Sequence, residues 1–266
     1  MKKPERHRII LLYHEVTHEV ERLKPVHHID PAYSLHIDRF KEQMKALSDL
    51  QNLEVAPLES FFTDDGYNHE IAITFDDGLK GNYDHAANVL SVFKFNATFF
   101  VTVNDIGTPD YMTWKQLKEL DAGGHSIQSH TLSHPMLAEL TRREITVELR
   151  RSKEIIEDKI GKQVSYLSIP LDSCNQTVID IARQVGYRAL FTSKVEPVRN
   201  HPIHYHYGRI PIKDHFTLPQ FMALINPSSA RFHFTQSVNG IKNGIKSVIG
   251  LETYRMIYRY VKKIEI

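Results

Sequence analysis

Cysteine is nearly absent. The 266-residue chain carries one, Cys174, which excludes an internal disulfide and fits a reducing compartment. Excess charge is missing as well: the formal net charge is +1, so no overall field draws in nucleic acid. Long apolar runs are lacking too. Behind the basic start from Met1 to Arg8, the run Ile9 to Tyr13 is cut off by His14 and Glu15. That is too short for a signal-peptide core or a membrane span, so the expectation is a cytoplasmic protein, unless a leader has been removed. No internal repeat or low-complexity linker divides the chain. What is present is 41% hydrophobic content, enough to bury a large core, and a single α/β barrel domain of this length is an ordinary outcome.

Periodicity gives the elements. Ile9 to Tyr13 reads as a short buried strand ending at His14, and Glu15 to Pro31 as loop. Ile37, Phe40, Met44, Leu47 and Leu50 recur at spacings of 3 and 4, the stripe of an amphipathic helix over 37–50. Leu53 to Leu58 suits a second strand, Tyr83 to Phe93 a helix, and Ala97 to Val103 another β-rich run. Thr113 with Gln116, and Thr141 with Glu144, are capping boxes that open two further helices, closed at Gly123–Gly124 and Gly161. His125 to Gln128, Tyr166 to Ile169 and Arg188 to Thr192 read as strands. Asn175 caps the helix between the last two. This alternation predicts α/β architecture with a parallel sheet.

One stretch organises the chemistry. Ile71-Ala72-Ile73-Thr74-Phe75-Asp76-Asp77-Gly78 is an apolar, β-branched run that ends in two adjacent carboxylates and a glycine. Neighbouring anions repel, and a bound cation resolves this if one Asp ligates it while the other stays beside it as a base. A plain turn after a strand uses the same residues. His130 and His134 are four apart, so one helical turn or a tight loop can bring both imidazoles to one cation, although they could simply flank a loop. Two His and one Asp form a borderline donor set suited to zinc or another divalent transition metal, one that activates water and polarises a carbonyl. His14, Asp76 with Asp77, His130, and Pro170 with Leu171 each sit just past the carboxyl end of a predicted strand. In α/β barrels that face holds the active site.

These residues resemble a known family, the NodB-like polysaccharide deacetylases of carbohydrate esterase family 4, over roughly Ile9 to Ile212. Thr74 to Gly78 is similar to the family's first motif, Ser129 to Pro135 to its second, and Ala97 to Val101 and Gly124 to Ile127 to its connecting strands. The resemblance implies a deformed (β/α)7-type barrel in which Asp77, His130 and His134 bind a divalent metal, most often zinc, and Asp76 is the general base. Leu12-Tyr13-His14 resembles the Leu-x-His motif that supplies the general acid near the carboxyl terminus of many members. Its position here resembles a circularly permuted subtype of exopolysaccharide deacetylases with an N-terminal Tyr-His, and assigns His14 as the acid.

Two departures accompany the resemblance. The family's third motif, Arg-x-Pro-Tyr-Gly, appears as Ser168-Ile169-Pro170-Leu171-Asp172. The arginine that orients the base is replaced by serine, and Thr192-Ser193-Lys194 offers no Asp-Trp for the fourth motif. Either Arg209 reaches in from another strand or activity is low or absent. Pro170, Leu171 and Arg209 are therefore the candidates on the substrate side, with the backbone N–H near Leu171 a candidate oxyanion donor.

Residues 231–266 form a basic carboxyl-terminal extension, with seven Lys and Arg against two Glu. The apolar stripe Leu251, Tyr254, Ile257, Tyr258 and Val261 lies beneath those charges. That pattern fits peripheral contact with an anionic inner membrane face, or a helix packed on the barrel with a solvated basic side. The expectation is a metal-dependent hydrolase that removes acetyl groups from an N-acetylated sugar of a polysaccharide or glycolipid, the acetylated glycan being its partner. A catalytically impaired glycan-binding pseudoenzyme of the same fold, or an amide hydrolase acting on a small molecule, is the alternative.

Overall fold

The computed structural model describes residues 7–18, 31–51, 53–62, 69–198, 205–249 and 253. In chain order the elements are β1 (His7–Tyr13), β2 (Glu15–Thr17), β3 (Ser34–His36), α1 (Ile37–Ser48), β4 (Glu54–Val55), β5 (His69–Phe75), α2 (Ala87–Phe93), β6 (Ala97–Val101), α3 (Trp114–Ala122), β7 (Ser126–Ser129), α4 (Arg142–Ile160), β8 (Tyr166–Ser168), α5 (Gln176–Val185), β9 (Ala189–Thr192), β10 (His206–Gly208), β11 (Ile210–Pro211), α6 (Leu218–Leu224) and α7 (Ala230–Ile249). The strands run in the order β10-β9-β8-β7-β6-β5-β1-β11, with β4 paired to the start of β5. Every pairing among them is parallel. Eight strands thus form a nearly closed barrel with helices around it. β10 and β11 flank Arg209, so the chain from His206 to Pro211 pairs first with β9 and then with β1 and acts as one bent closing strand.

Side chains alternate across the strands, and the apolar ones separate into two cores. Ile10, Ala72, Phe100, Tyr166, Ala189, Phe191 and Tyr207 make an inner core. Ile9, Leu11, Tyr13, Ile71, Ile73, Phe75, Phe99 and Val101 belong to a larger one packed under the helices, where Phe40 and Met44 of α1 and Leu149 and Ile156 of α4 meet them. The capping boxes at Thr113 and Thr141 form with both reciprocal hydrogen bonds, and Asn175 accepts from the Val178 N–H.

Two expectations need correction. Glu15 to Thr17 is not loop but a strand paired in parallel with Ser34 to His36, a small second sheet beside the barrel. Only Glu54–Val55 of the expected 53–58 strand pairs; Leu58–Phe62 coils into a 3-10 turn instead, because Phe61 and Phe62 fit the inner core. Phe62 lies 5.0–6.4 Å from the rings of Tyr166, Phe191 and Tyr207. At the start of the carboxyl-terminal extension α7 buries Phe232 and packs on α6, as the packed-helix reading of that segment has it. Leu251, Tyr254, Ile257, Tyr258 and Val261 lie outside the described residues. Among the described residues, no helix is long and apolar enough to cross a membrane.

Candidate active site

Register decides which side chains meet. β1 and β5 pair along their whole length, with Tyr13 opposite Phe75, so His14 and Asp76 leave the sheet side by side. The Asp76 N–H donates to the Tyr13 carbonyl at 3.0 Å. Across β6 and β7, Val101 pairs with Ser129, and the His130 N–H donates to the Val101 carbonyl at 2.9 Å. Ser129 pairs with Leu167, which places Ser168 next to His130. Four strands deliver their polar residues to one rim, the carboxyl-terminal one.

On that rim the Asp77 Oδ1 lies 3.4 Å from the His130 Nε2 and 3.5 Å from the His134 Nε2. One ligand atom from each of Asp77, His130 and His134 falls within 4.8 Å of the others, the only such triad among the described residues. The His130 Nδ1 is 2.9 Å from the Ser168 carbonyl. A carbonyl only accepts, so Nδ1 carries a proton and Nε2, the nitrogen that faces Asp77, is the one that can ligate a cation. Two imidazole nitrogens and a carboxylate oxygen that converge in one largely buried cluster fit a divalent transition cation. Burial pushes Asp77 up, but the His130 hydrogen bond and the nearby His14, His130 and His134 outweigh it, and its carboxyl sits well below the usual range.

The His130–His134 segment is a tight loop and not a helical turn. Thr131 and His134 both take left-handed φ, 72° and 59°, a conformation that costs non-glycine residues energy and needs anchoring. The anchors are visible. Glu148 of α4 accepts from the N–H groups of Leu132 and Ser133 at 3.0 Å and from the Ser133 hydroxyl at 2.6 Å. Thr131 Oγ1 accepts from the His134 N–H at 3.0 Å.

Asp76 is held differently. Arg209, 1% exposed, donates NH1 to Asp76 Oδ1 and NH2 to Asp76 Oδ2, both at 2.7 Å, in a two-pronged ion pair. The Ser168 hydroxyl donates to Asp76 Oδ2 at 2.8 Å and accepts from Arg209 NH2 at 2.7 Å. Thr74 Oγ1 accepts from NH1 at 3.2 Å. Arg209 was grouped with the substrate side; the structure instead buries it behind Asp76, above the Phe100 ring at 5.3 Å. The guanidinium missing at position 168 thus arrives from the closing strand, and the smaller serine leaves room for it. Burial raises the Asp76 pKa, but Arg209 and then His130 pull it further down, so it remains a carboxylate.

His14 stands beside this pair with its ring 4.8 Å from that of Tyr33. Its buried Nδ1 has no hydrogen-bond partner among the described residues. Burial carries its pKa below 6.5, against the pull of Asp77 and Asp76. Pro170 is buried and Leu171 half-buried in a turn that follows β8. His201 and His204 lie outside the described residues, while His206 Nε2 is 3.6 Å from Cys174 Sγ.

Sequence reasoning missed Glu148, Thr74 and Glu15. Glu148 is one of several acids on an amphipathic helix and nothing in its spacing sets it apart. Glu15 is buried where β2 meets the start of the π-helical turn Asn82–Ala86. Burial, with Asp77 and Asp110 adding to it, raises its pKa to about 8 against the N–H groups of Val16 and Gly81. At neutral pH this carboxyl is largely protonated.

The family model described as polysaccharide deacetylase matches residues 64–190. YxkH of Bacillus subtilis is 32% identical over 174 residues, 63% of this chain and 62% of its own. A chitin deacetylase of Pestalotiopsis is 32% identical over 120 residues, 45% of this chain and 40% of its own. The peptidoglycan-N-acetylmuramic acid deacetylase PdaA of Bacillus subtilis is 27% identical over 144 residues, 53% of each. The chain spans less than two thirds of the length of these curated relatives. Among solved structures, a polysaccharide deacetylase from Bacillus cereus superposes with a TM-score of 0.73 at 26% identity, covering 84% of this chain and 70% of the other. The deacetylase PplD of Streptococcus pyogenes has the same fold, with a TM-score of 0.73 at 22% identity over 83% of this chain and 99% of that one.

Proposed function

From the match of residues 64–190 to the polysaccharide deacetylase family model, we propose that the chain is a metal-dependent hydrolase removing the acetyl group from an N-acetylated sugar of a polysaccharide or glycolipid. The observation that carries this reading is the juxtaposition on one rim of a three-donor set, Asp77, His130 and His134, with a second carboxylate, Asp76, that is kept ionised and fixed in direction.

A divalent cation held by those three side chains, zinc being the best match to two imidazoles and one carboxylate, supplies Lewis acidity that acidifies water and polarises an acetyl carbonyl. The protein does the rest. Asp76 takes the proton from the attacking water; with both oxygens engaged by Arg209 it keeps one orientation through turnover. His14 gives a proton to the departing nitrogen, and a lowered pKa makes its imidazolium a stronger acid for that step. The Leu171 N–H is the donor assigned to the tetrahedral oxyanion. His14 stands ahead of Asp76 in chain order, which is the order a permuted arrangement of motifs would give.

A glycan-binding pseudoenzyme drew its support from the arginine missing at position 168. Arg209 now occupies that role in geometry, which favours the working hydrolase. The test is acetate release from an N-acetylglucosamine oligomer, with metal content measured in parallel. Wild type is expected to bind one metal per chain and release acetate, and Asp77→Ala to lose both. Metal binding without acetate release from glycan or small N-acetyl substrates would favour the pseudoenzyme; release from small amides only would favour the small-molecule alternative.

The proposal extends to peripheral membrane contact. Phe234 and Ile241 are 68% and 64% exposed and lie seven residues apart, hence on one face of α7. From His215 to Leu251 the sequence holds no Asp or Glu. Apolar side chains on a cationic, acid-free helix suit an anionic lipid surface.

A further inference from the structure

The turn after β8 is built against its own preferences. Leu171 and Asp172 both have φ of 58°, two successive left-handed residues, neither of them glycine. Such a turn persists only where its surroundings over-determine it. Here the constraint comes from the residue just past β9: the Ser193 N–H donates to Asp172 Oδ1 at 2.6 Å, and the Ser193 hydroxyl donates to Asp172 Oδ2. Ser193 is braced in turn by α7, since the Asn239 side-chain amide donates to the Ser193 carbonyl at 3.3 Å and accepts from the Val195 N–H at 3.2 Å.

Within the turn, every available N–H but one has a partner. Asp172 donates to the Ile169 carbonyl at 3.4 Å, Ser173 to Pro170 at 2.9 Å and Cys174 to Asp172 at 2.9 Å. Pro170 has no N–H to give. The Leu171 N–H has no hydrogen-bond partner among the described residues. It sits three residues past Ser168, whose hydroxyl touches Asp76 and whose carbonyl holds His130.

We infer that Asp172 and Ser193 form a clasp that positions the Leu171 N–H as a hydrogen-bond donor for the reaction, with Asn239 of α7 as its outer support. The clasp rests on the proposed hydrolase reading for its purpose, but its existence does not. Asp172 and Ser193 act through the turn and are positioning residues, not catalytic ones. Where a glycine would relax into a left-handed turn unaided, Asp172 is held there by two hydrogen bonds.

The test compares Asp172→Ala, Asp172→Asn, Asp172→Gly and Ser193→Ala in the full metal-loaded chain. Kinetics on an N-acetylglucosamine oligomer should show kcat reduced about tenfold or more in Asp172→Ala and Ser193→Ala, with KM and metal content unchanged, because only transition-state stabilisation is lost. Asp172→Asn keeps the acceptor for the Ser193 N–H and should recover part of kcat. Asp172→Gly relieves the left-handed strain but removes the clasp, so it should lose kcat without losing thermal stability. Full activity in Asp172→Gly, or a change confined to KM, would overturn the inference. Hydrogen exchange at the Ser193 amide, which donates to Asp172 Oδ1, gives a readout independent of any substrate: it should speed up about tenfold or more in Asp172→Ala, and an unchanged rate would equally overturn the inference. If wild type hydrolyses nothing, exchange still decides the clasp while the hydrolase reading fails separately.

Discussion

Arg209 shows what one side chain can be asked to do. It is fully buried, pairs with Asp76 through both nitrogens and spans to Thr74 and Ser168. Removing one member of such a pair strands the other's charge, so Arg209→Ala should lower unfolding free energy by about 3–5 kcal/mol in denaturant titration and abolish turnover. Lysine retains the charge without the fork, and Arg209→Lys should fold but show kcat lowered by about tenfold or more. His14 predicts a pH dependence. An acid that must be charged in the free enzyme and whose pKa lies below 6.5 makes kcat/KM fall as pH rises through that lowered value. The pH–rate profile of wild type should show this limb, and residual activity in His14→Ala should lack it. At this scale the sequence was legible wherever spacing alone constrained chemistry, as for Asp76-Asp77 and His130-x-x-x-His134. Arg209 could be named only because Asp76 needed a cation that the third motif lacked. Nothing in its own neighbourhood marks it, since the strand around it is short and bends.

At the level of elements, two contacts decide how the rim is held. β2 leans on the turn at Gly81 so closely that a Cβ there would fall 1.7 Å from Glu15 Oε1 and 2.2 Å from the Val16 carbonyl oxygen. The backbone oxygen cannot move aside without unpairing β2 from β3, so Gly81→Ala should cost about 1–3 kcal/mol and shift the thermal transition down. Glu15 itself should make stability pH-dependent. Its folded pKa of about 8 stands above its ordinary 4.5, so its contribution is complete below about pH 4.5 and disappears as pH rises toward 8. The unfolded chain ionises freely over that window while the folded one must keep the proton. Glu15→Gln should remove a slope amounting to a few kcal/mol at most, read as a flatter curve of midpoint against pH. Glu148 supports the His loop, and Glu148→Ala should weaken metal affinity by about 10–100-fold in chelator competition while leaving the barrel folded. Caps and amphipathic stripes declared the helices in advance because they are local. β2, β3 and the 3-10 turn at Leu58–Phe62 did not declare themselves, because partners distant in sequence determine them.

For the whole molecule, the expected architecture appeared because alternating strand and helix admits few arrangements, and register then carries every strand end to a common rim. Chelation of the metal-loaded chain should end acetate release and lower the melting temperature, with both restored by added zinc. Replacing Phe234 and Ile241 by serine should leave acetate release intact and reduce co-sedimentation with vesicles containing anionic lipid; equal sedimentation would remove the membrane proposal. The bent strand from His206 to Pro211 does two jobs with six residues: it closes the barrel between β9 and β1, and it carries the guanidinium that pairs with Asp76. A nascent chain that has not yet delivered this segment has its acids and imidazoles but no counterion for Asp76. On the proposed hydrolase reading, competence switches on only with the last stave of the barrel, and a half-made molecule stays inert.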